Sequence, residues 1–168
     1  RAIANAEDYL HAIGQLGIAY NGTTREEVVE YYFTTTSPNL RTAMQFMKDA
    51  ARYPLFDENE FAREKQVVIG EIDRNESNPF FPLNQEMNNR MFSKYTSRKN
   101  PLGNRQTVSG ATTDMMRLIQ QRYYVPNNSA LVVTGDVTSS DVVKMAQEFY
   151  GDWARREKDP FVEFPLVE

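Results

Sequence analysis

Two glutamates lie seven residues apart in the charged stretch EFAREKQVVIGEIDRNE. A helix turns about 100° per residue, so Phe61, Val68 and Ile72 form one narrow apolar stripe. On the same helix, Glu64 and Glu71 lie two turns apart on a line beside that stripe. The spacing therefore places two carboxylates at the edge of a face that must be buried.

Carboxylates at such an edge cost free energy unless something pairs with them. A metal ion, or a hydrogen-bond network around one, would be such a partner. In the other interpretation both side chains stay hydrated at the rim of a surface helix. The pattern by itself leaves both interpretations open.

Composition excludes several other kinds of site. The 168-residue chain is 40% hydrophobic, which is enough for one domain with a core. It has no cysteine, which excludes disulfides, thiolate zinc sites and cysteine nucleophiles. His11 is the only histidine and lies in a predicted helix, where it is expected to be a surface or core residue and not part of a Ser-His-Asp triad.

Charge, hydropathy and motifs argue against several classes of binding partner. The net charge of −4 argues against nucleic acid as the main partner. No run approaches the eighteen or so apolar residues of a membrane span. No phosphate-binding or dinucleotide-binding glycine motif is present. No pattern in the sequence assigns a compartment.

Apolar periodicity and breaker residues predict the elements that position the two glutamates. Asp57 is predicted to cap their helix, and Asn21 to Thr24 are predicted to form either a hairpin turn or an open strand. The first half of the chain is predicted to form a helix over Ala4–Leu16 closed by Gly17, a β-rich stretch Val28–Thr36, a helix after a Ser37-Pro38 cap, and a helix from Asp57 to about Ser77. A helix over Leu83–Tyr95, with Met87, Met91 and Phe92 buried, and a loop over Asn100–Gly110 are predicted to follow. The remaining predicted elements are a helix from Thr112 or Thr113 to Tyr124, a strand over Ser129–Thr134, and a last helix capped by Ser139 or Ser140.

Strands that do not alternate singly with helices predict an α+β fold. We expect two layers, with helices packed on a largely antiparallel sheet. Few strands are predicted for so many helices, so we expect residues outside this chain to complete the sheet.

Several segments, in their order, resemble the insulinase/pitrilysin family of zinc metallopeptidases, which is related to mitochondrial processing peptidase. The segments are NGTTREEVVEYYFTT, PLFDENEFAREKQVVIGEI, NPLGNRQTVSG and YYVPNNSALVVTGDV. Each is weak alone, and their common order and spacing carry the resemblance. It extends over nearly the whole chain.

The resemblance implies a zinc site. In that family an H-x-x-E-H helix supplies two histidine ligands and a glutamate general base. A further glutamate ligand lies in the pattern E-(R/K)-x-x-(V/I)-(V/I)-x-E, which here reads EKQVVIGE. The resemblance makes Glu71 the zinc ligand and Glu64 a nearby carboxylate that orients or tunes the site.

The resemblance also implies how a substrate binds. The family lays an extended peptide or unfolded polypeptide against an edge strand, through an N-A-x-T segment. Here Asn21, Gly22, Thr23 and Thr24 correspond to that segment, with glycine in place of alanine. Strand addition uses backbone donors and acceptors, so we expect the glycine to be tolerated.

The chain departs from the family pattern because it contains no H-x-x-E-H. By the family spacing, the motif is expected just upstream of Arg1. The parent is then a zinc endopeptidase, and this chain alone is inactive. In the alternative, the protein is a non-catalytic structural or partner-binding subunit of the same fold. We expect residues 1–154 to be a partial peptidase domain, and residues 155–168 to link it to a second homologous half.

Overall fold

The computed structural model describes residues 6–95 and 100–160. This part of the chain has an α+β organisation, as predicted, with seven α-helices and one two-stranded antiparallel sheet. The elements are α1 (Ala6–Gln15), β1 (Ala19–Thr24), β2 (Val29–Thr34), α2 (Leu40–Arg52), α3 (Glu58–Glu76), α4 (Phe80–Met91), α5 (Arg105–Gly110), α6 (Thr113–Tyr123) and α7 (Ser139–Tyr150).

The described residues divide into two compact units. The first, called the core unit here, comprises residues 6–22, 31–55 and 119–160. The second, called the α3 unit, comprises residues 23–30, 56–95 and 100–118. No described helix is both long and apolar enough to cross a membrane.

An apolar cluster from α1, β2 and α2 fills the core unit. Ile13, Ile18 and Ala43 are buried, and Phe33 and Phe46 pack against them. Helix α1 ends at Gln15 and is closed by the predicted Gly17, whose left-handed conformation (φ 63°) suits a residue without a side chain. In α2, Ala43 and Met44 are buried, as their helical spacing predicts.

Strands β1 and β2 form a hairpin whose turn lies at Arg25–Val28. The Arg25 amide donates to the Val28 carbonyl at 2.9 Å. Counting outward from that pair places Tyr20 opposite Phe33, and their rings meet edge to face at 6.1 Å. Asn21 to Thr24 therefore belong to a strand and not to the turn.

The helix of the α3 unit that carries the two glutamates begins as predicted. Asp57 caps α3, and its carboxylate accepts the amides of Asn59 at 2.9 Å and Glu60 at 3.0 Å. Helix α3 ends one residue before the expected Ser77. Among the described residues of this unit, only Ile72 and Thr113 are buried.

Three predicted features are wrong. The expected loop over Asn100–Gly110 contains α5, because Asn104 and Thr107 form a capping box. Helix α4 runs over Phe80–Met91, and Met87 and Met91 are 49% and 64% exposed. No strand forms over Ser129–Thr134 in the described structure, which offers no partner for its backbone.

The capping predictions differ in detail. Thr138, and not Ser139 or Ser140, caps α7 by accepting the Asp141 amide at 3.3 Å. For Ser37-Pro38, the proline does lie at the start of a helical segment, the 3₁₀ turn Ser37–Asn39 that leads into α2, but the residue before that turn is Thr36, so Ser37 as the cap is wrong. Residues 1–5 of the first predicted helix and 161–168 of the predicted linker lie outside the described residues.

Candidate metal helix and peptide-binding edge

Glu64 and Glu71 lie on α3, and their surroundings differ. Glu64 is exposed and Glu71 is half-buried. Within the described part of the chain, neither carboxylate has a hydrogen-bond or ion-pair partner. Seven residues of helix span about 10 Å. The spacing therefore suits one ligand with a neighbouring carboxylate better than two ligands of one ion.

The described residues do not form a zinc site by themselves. They contain no group of three or more histidine, cysteine, aspartate or glutamate side chains that could hold a metal ion. His11 lies exposed on α1, with its Nε2 3.5 Å from Gln15 Nε2. Protein zinc sites need three or four such ligands. Glu71 fits as one member of a ligand set, and the other members are not among the described residues.

Polar contacts fix the beginning of α3. Glu58 accepts a hydrogen bond from the buried Thr113 hydroxyl. Arg117 donates to that hydroxyl at 3.2 Å and to the Phe56 carbonyl at 3.3 Å. Phe56 has a positive φ of 50°, which is uncommon for a residue with a side chain. Arg117 thus stabilises the unusual backbone that leads into the Asp57 cap.

Two further cations join α3 to α5 and its flanking residues. Arg105 pairs with Asp73 and, at 3.0 Å, with Glu76 near the end of α3. Halfway along α3, Lys65 donates to the carbonyls of Ser109 and Ala111. Sequence reasoning missed both residues. Lys65 left a visible signal, because a lysine stands at helical spacing within the apolar stripe.

Strand β1 presents an exposed edge. All residues from Asn21 to Thr24 are exposed. In the hairpin register, Gly22 belongs to a pair whose backbone groups point away from β2. Its amide donates to the Asn21 side-chain oxygen at 2.8 Å. The outer edge therefore has a backbone donor that a side chain of the same strand satisfies.

The tyrosine pair of β2 lies on the same hairpin. Tyr31 and Tyr32 are 52% and 50% exposed, so strand alternation does not bury either ring in the described structure. The Tyr31 hydroxyl lies 2.6 Å from the Tyr124 hydroxyl. Burial, followed by this hydrogen bond, raises the pKa of Tyr124 well above its ordinary value. Tyr31 therefore anchors β2 within the core unit.

Comparison with known protein families identifies the family of this chain. The family model for insulinase, peptidase family M16, matches residues 3–108. A second model, described as the peptidase M16 inactive domain, matches residues 110–168. This chain belongs to the insulinase family. The resemblance inferred from the sequence segments is confirmed.

Members of the insulinase family with similar sequences or structures are longer proteins. An uncharacterized zinc protease from Rickettsia bellii is 26% identical over 156 residues, which cover 93% of this chain and 38% of that protein. A Helicobacter pylori protease structure has a TM-score of 0.85 at 22% identity, covering 98% of this chain and 40% of that one. For the Escherichia coli periplasmic protease PqqL the TM-score is 0.76, covering 91% of this chain and 18% of that one. The insulinase-family chain thus spans well under half of these relatives, and the structures show its fold.

Proposed function

We propose that this chain is part of a zinc-dependent endopeptidase and that Glu71 supplies one zinc ligand of the complete protein. The supporting observation is a half-buried glutamate without a partner among the described residues, at the end of the pattern EKQVVIGE in an insulinase-family chain. The exposed Glu64 lies on the same line of α3. In the proposal it is a neighbouring carboxylate that orients or tunes the site.

The proposal extends to the substrate. A peptide or unfolded segment would add as a strand along the outer edge of β1, at Asn21, Gly22, Thr23 and Thr24. Supporting this, the Gly22 amide points away from β2 and, in the described structure, donates to the exposed side chain of Asn21. A peptide carbonyl would replace that side-chain oxygen. A second homologous half would close the site from the far side, with residues 155–168 as the link from the partial domain of residues 1–154.

Zinc content is the direct test. When bound, zinc activates a water molecule for attack on the peptide bond. We expect the complete wild-type protein to contain stoichiometric zinc and the Glu71→Gln variant to lose it. Glu86→Gln, on the 59% exposed side chain of α4, is the matched control and should keep the metal. Stoichiometric zinc in Glu71→Gln would remove Glu71 from the ligand set.

Peptide cleavage tests the substrate proposal separately. Gly22→Pro removes the outward backbone donor while the ladder to β2 is kept. We expect this variant to retain zinc and to cleave an unfolded peptide with a raised KM. Wild-type KM in Gly22→Pro would exclude pairing at this edge. The chain of 168 residues alone should show no peptidase activity.

A non-catalytic subunit of the same fold is the second candidate. The match of residues 110–168 to a model described as an inactive domain favours it. This candidate predicts a complete protein without zinc and without peptide cleavage. The same zinc measurement on the wild-type protein therefore separates the two candidates.

A further inference from the structure

Lys65 occupies an unusual place on α3. Phe61, Lys65, Val68 and Ile72 follow helical spacing and form the inward stripe, and each is half-buried or buried. The adjacent Glu64 is exposed. A lysine is almost never fully buried unless its ammonium group has partners, because burial of the charge costs free energy, so the contacts of this half-buried lysine are informative.

The partners of Lys65 are two backbone carbonyls at the end of another helix. Its Nζ donates to Ser109 O at 3.3 Å and to Ala111 O at 3.2 Å, and it lies 5.3 Å from the centre of the Phe61 ring. Ser109 lies in the last turn of α5, and Ala111 is the extended residue that follows the helix. The last carbonyls of a helix lack partners within it and carry partial negative charge, so they attract a cation.

This contact fixes the rotation of α3 about its own axis. Viewed along the helix, Glu64 and Glu71 lie about 100° and 120° from Lys65 in the same direction. When Lys65 points at α5, both carboxylates must therefore point to one side. If the residue of α3 that faces α5 changed by one position, both carboxylates would rotate by about 100° about the helix axis, away from the zinc site.

The ends of α3 have weaker control over this rotation. Arg105 reaches Asp73 and Glu76 from a side chain that is 49% exposed, and its ion pairs with them are screened by solvent. The contacts of Thr113 and Arg117 hold the first turn, which lies more than a turn before Glu64. Lys65 is adjacent to Glu64 and is half-buried.

We propose that Lys65 is a positioning residue that orients Glu71 and Glu64 toward the zinc site by capping the C-terminal end of α5. The inference rests on the proposed function, because it assigns the orientation a purpose in metal binding. Lys65 itself touches neither metal nor substrate in this role.

The test compares zinc affinity in variants of the complete protein by competition with a chelator. Lys65→Met keeps the apolar stem and removes the donors, and Lys65→Arg keeps a cation able to reach both carbonyls. We expect Lys65→Met to lower zinc affinity about tenfold, as the loss of a residue that orients a ligand does, and Lys65→Arg to restore it. Lys144→Met, at a 77% exposed side chain on α7, is the matched control and should leave affinity unchanged.

Amide hydrogen exchange supplies a second readout that does not depend on activity. Lys65→Met should speed exchange in residues 105–111, and Lys65→Arg should not. If Lys65→Met does not fold, Lys65→Gln, which is too short to reach both carbonyls, takes its place in both measurements.

The outcomes separate this inference from the proposed function. Loss of zinc in Glu71→Gln with unchanged affinity in Lys65→Met would overturn the role of Lys65 and leave the peptidase proposal standing. A wild-type protein without zinc would overturn both. Reduced affinity in Lys65→Met that arginine does not restore would also count against the proposal, because a general loss of packing would explain it.

Discussion

The core unit buries apolar side chains from several elements, whereas the α3 unit depends on polar contacts at the ends of its helices. In the core unit, Ile13, Ile18 and Ala43 form a buried cluster. The described part of the α3 unit buries only Ile72 and Thr113. Burial of apolar surface is insensitive to direction, while hydrogen bonds require a defined orientation. The core unit is therefore suited to supply stability, and the α3 unit to hold side chains in fixed directions.

Helix α4, in the α3 unit, leaves its apolar stripe exposed, whereas α2, in the core unit, buries residues of its own stripe. Phe80, Leu83, Met87 and Met91 repeat at helical spacing, and each is between 49% and 66% exposed. In α2, by contrast, Met44 is only 4% exposed. Two helices with similar apolar spacing therefore differ in whether their stripe contributes to the stability of this chain.

The same substitution in both helices gives the largest expected difference. Met44→Ala creates a cavity in a packed site and should lower the free energy of unfolding by about 3 kcal/mol. Met87→Ala removes an exposed side chain and should change it by less than about 0.5 kcal/mol. Urea denaturation of both variants measures the difference. Equal losses would show that α4 packs its stripe in solution, contrary to the structure.

Substituting one arginine in each unit should give a smaller difference in the loss of unfolding free energy. Arg52 is 9% exposed, and it donates to the Phe149 carbonyl at 3.1 Å and to Asp152 at 2.7 Å. Arg52→Met leaves that carbonyl unpaired, so we expect a loss of about 2 kcal/mol. Arg105→Met, in the α3 unit, breaks ion pairs of a half-exposed side chain and should cost less than about 1 kcal/mol.

Urea denaturation in low and high salt checks this second comparison. Added salt should reduce the effect of Arg105→Met and leave most of the effect of Arg52→Met, because screening acts mainly on exposed charges. A larger loss in Arg105→Met than in Arg52→Met would reverse the distinction drawn between the two units.

The sequence predicted those features that local patterns determine. Asp57 as the cap of α3 and Gly17 as the residue that closes α1 were confirmed. Such features depend on hydrogen bonds within one helix or on helical spacing. Insulinase-family membership was also predicted, because it depends on the order of several segments.

Features that depend on distant residues were missed. Residues Ser129–Thr134 have strand-forming side chains, but a strand also needs a neighbour, and the described structure offers none. Met87 and Met91 have the spacing of a buried stripe, although spacing does not tell which face another element covers. The position of Lys65 within the apolar stripe is visible in the sequence, but the carbonyls that it contacts lie 44 and 46 residues away along the chain, so no local pattern identifies its partners.

Alkaline pH should destabilise the core unit. Burial raises the pKa of Tyr150 to about 12, with nearby Arg52 opposing the shift and Asp49 adding to it. The pKa values of Tyr9 and Tyr124 are also raised, mainly by burial. All three tyrosines belong to the core unit.

The direction of this pH dependence follows from the protons that the folded and unfolded states bind. A tyrosine with a raised pKa in the folded state contributes stability fully below its ordinary pKa of about 10, and that contribution is lost as the pH rises toward the folded value. We expect Tyr150→Phe to reduce the loss of unfolding free energy between pH 10 and about 12. Denaturation at several pH values measures it. An unchanged slope in Tyr150→Phe would mean that the hydroxyl is solvated in solution.

Acid pH should give the smallest effect on stability, through the exposed ion pair between Asp152 and Arg52. The hydrogen bond from Arg52 holds the pKa of Asp152 below its usual range, and the opposing effect of desolvation is smaller. A lowered pKa adds stability above the ordinary value of about 4, and this is lost as the pH falls through the folded value. Asp152→Asn should therefore be slightly less stable than wild type at pH 7, and the difference should disappear in acid. Because the Asp152 side chain is 74% exposed, salt should shrink the difference as well. A difference that persists in acid, where the Asp152 carboxyl is protonated, would mean that the lower stability of Asp152→Asn does not come from the loss of the charge paired with Arg52.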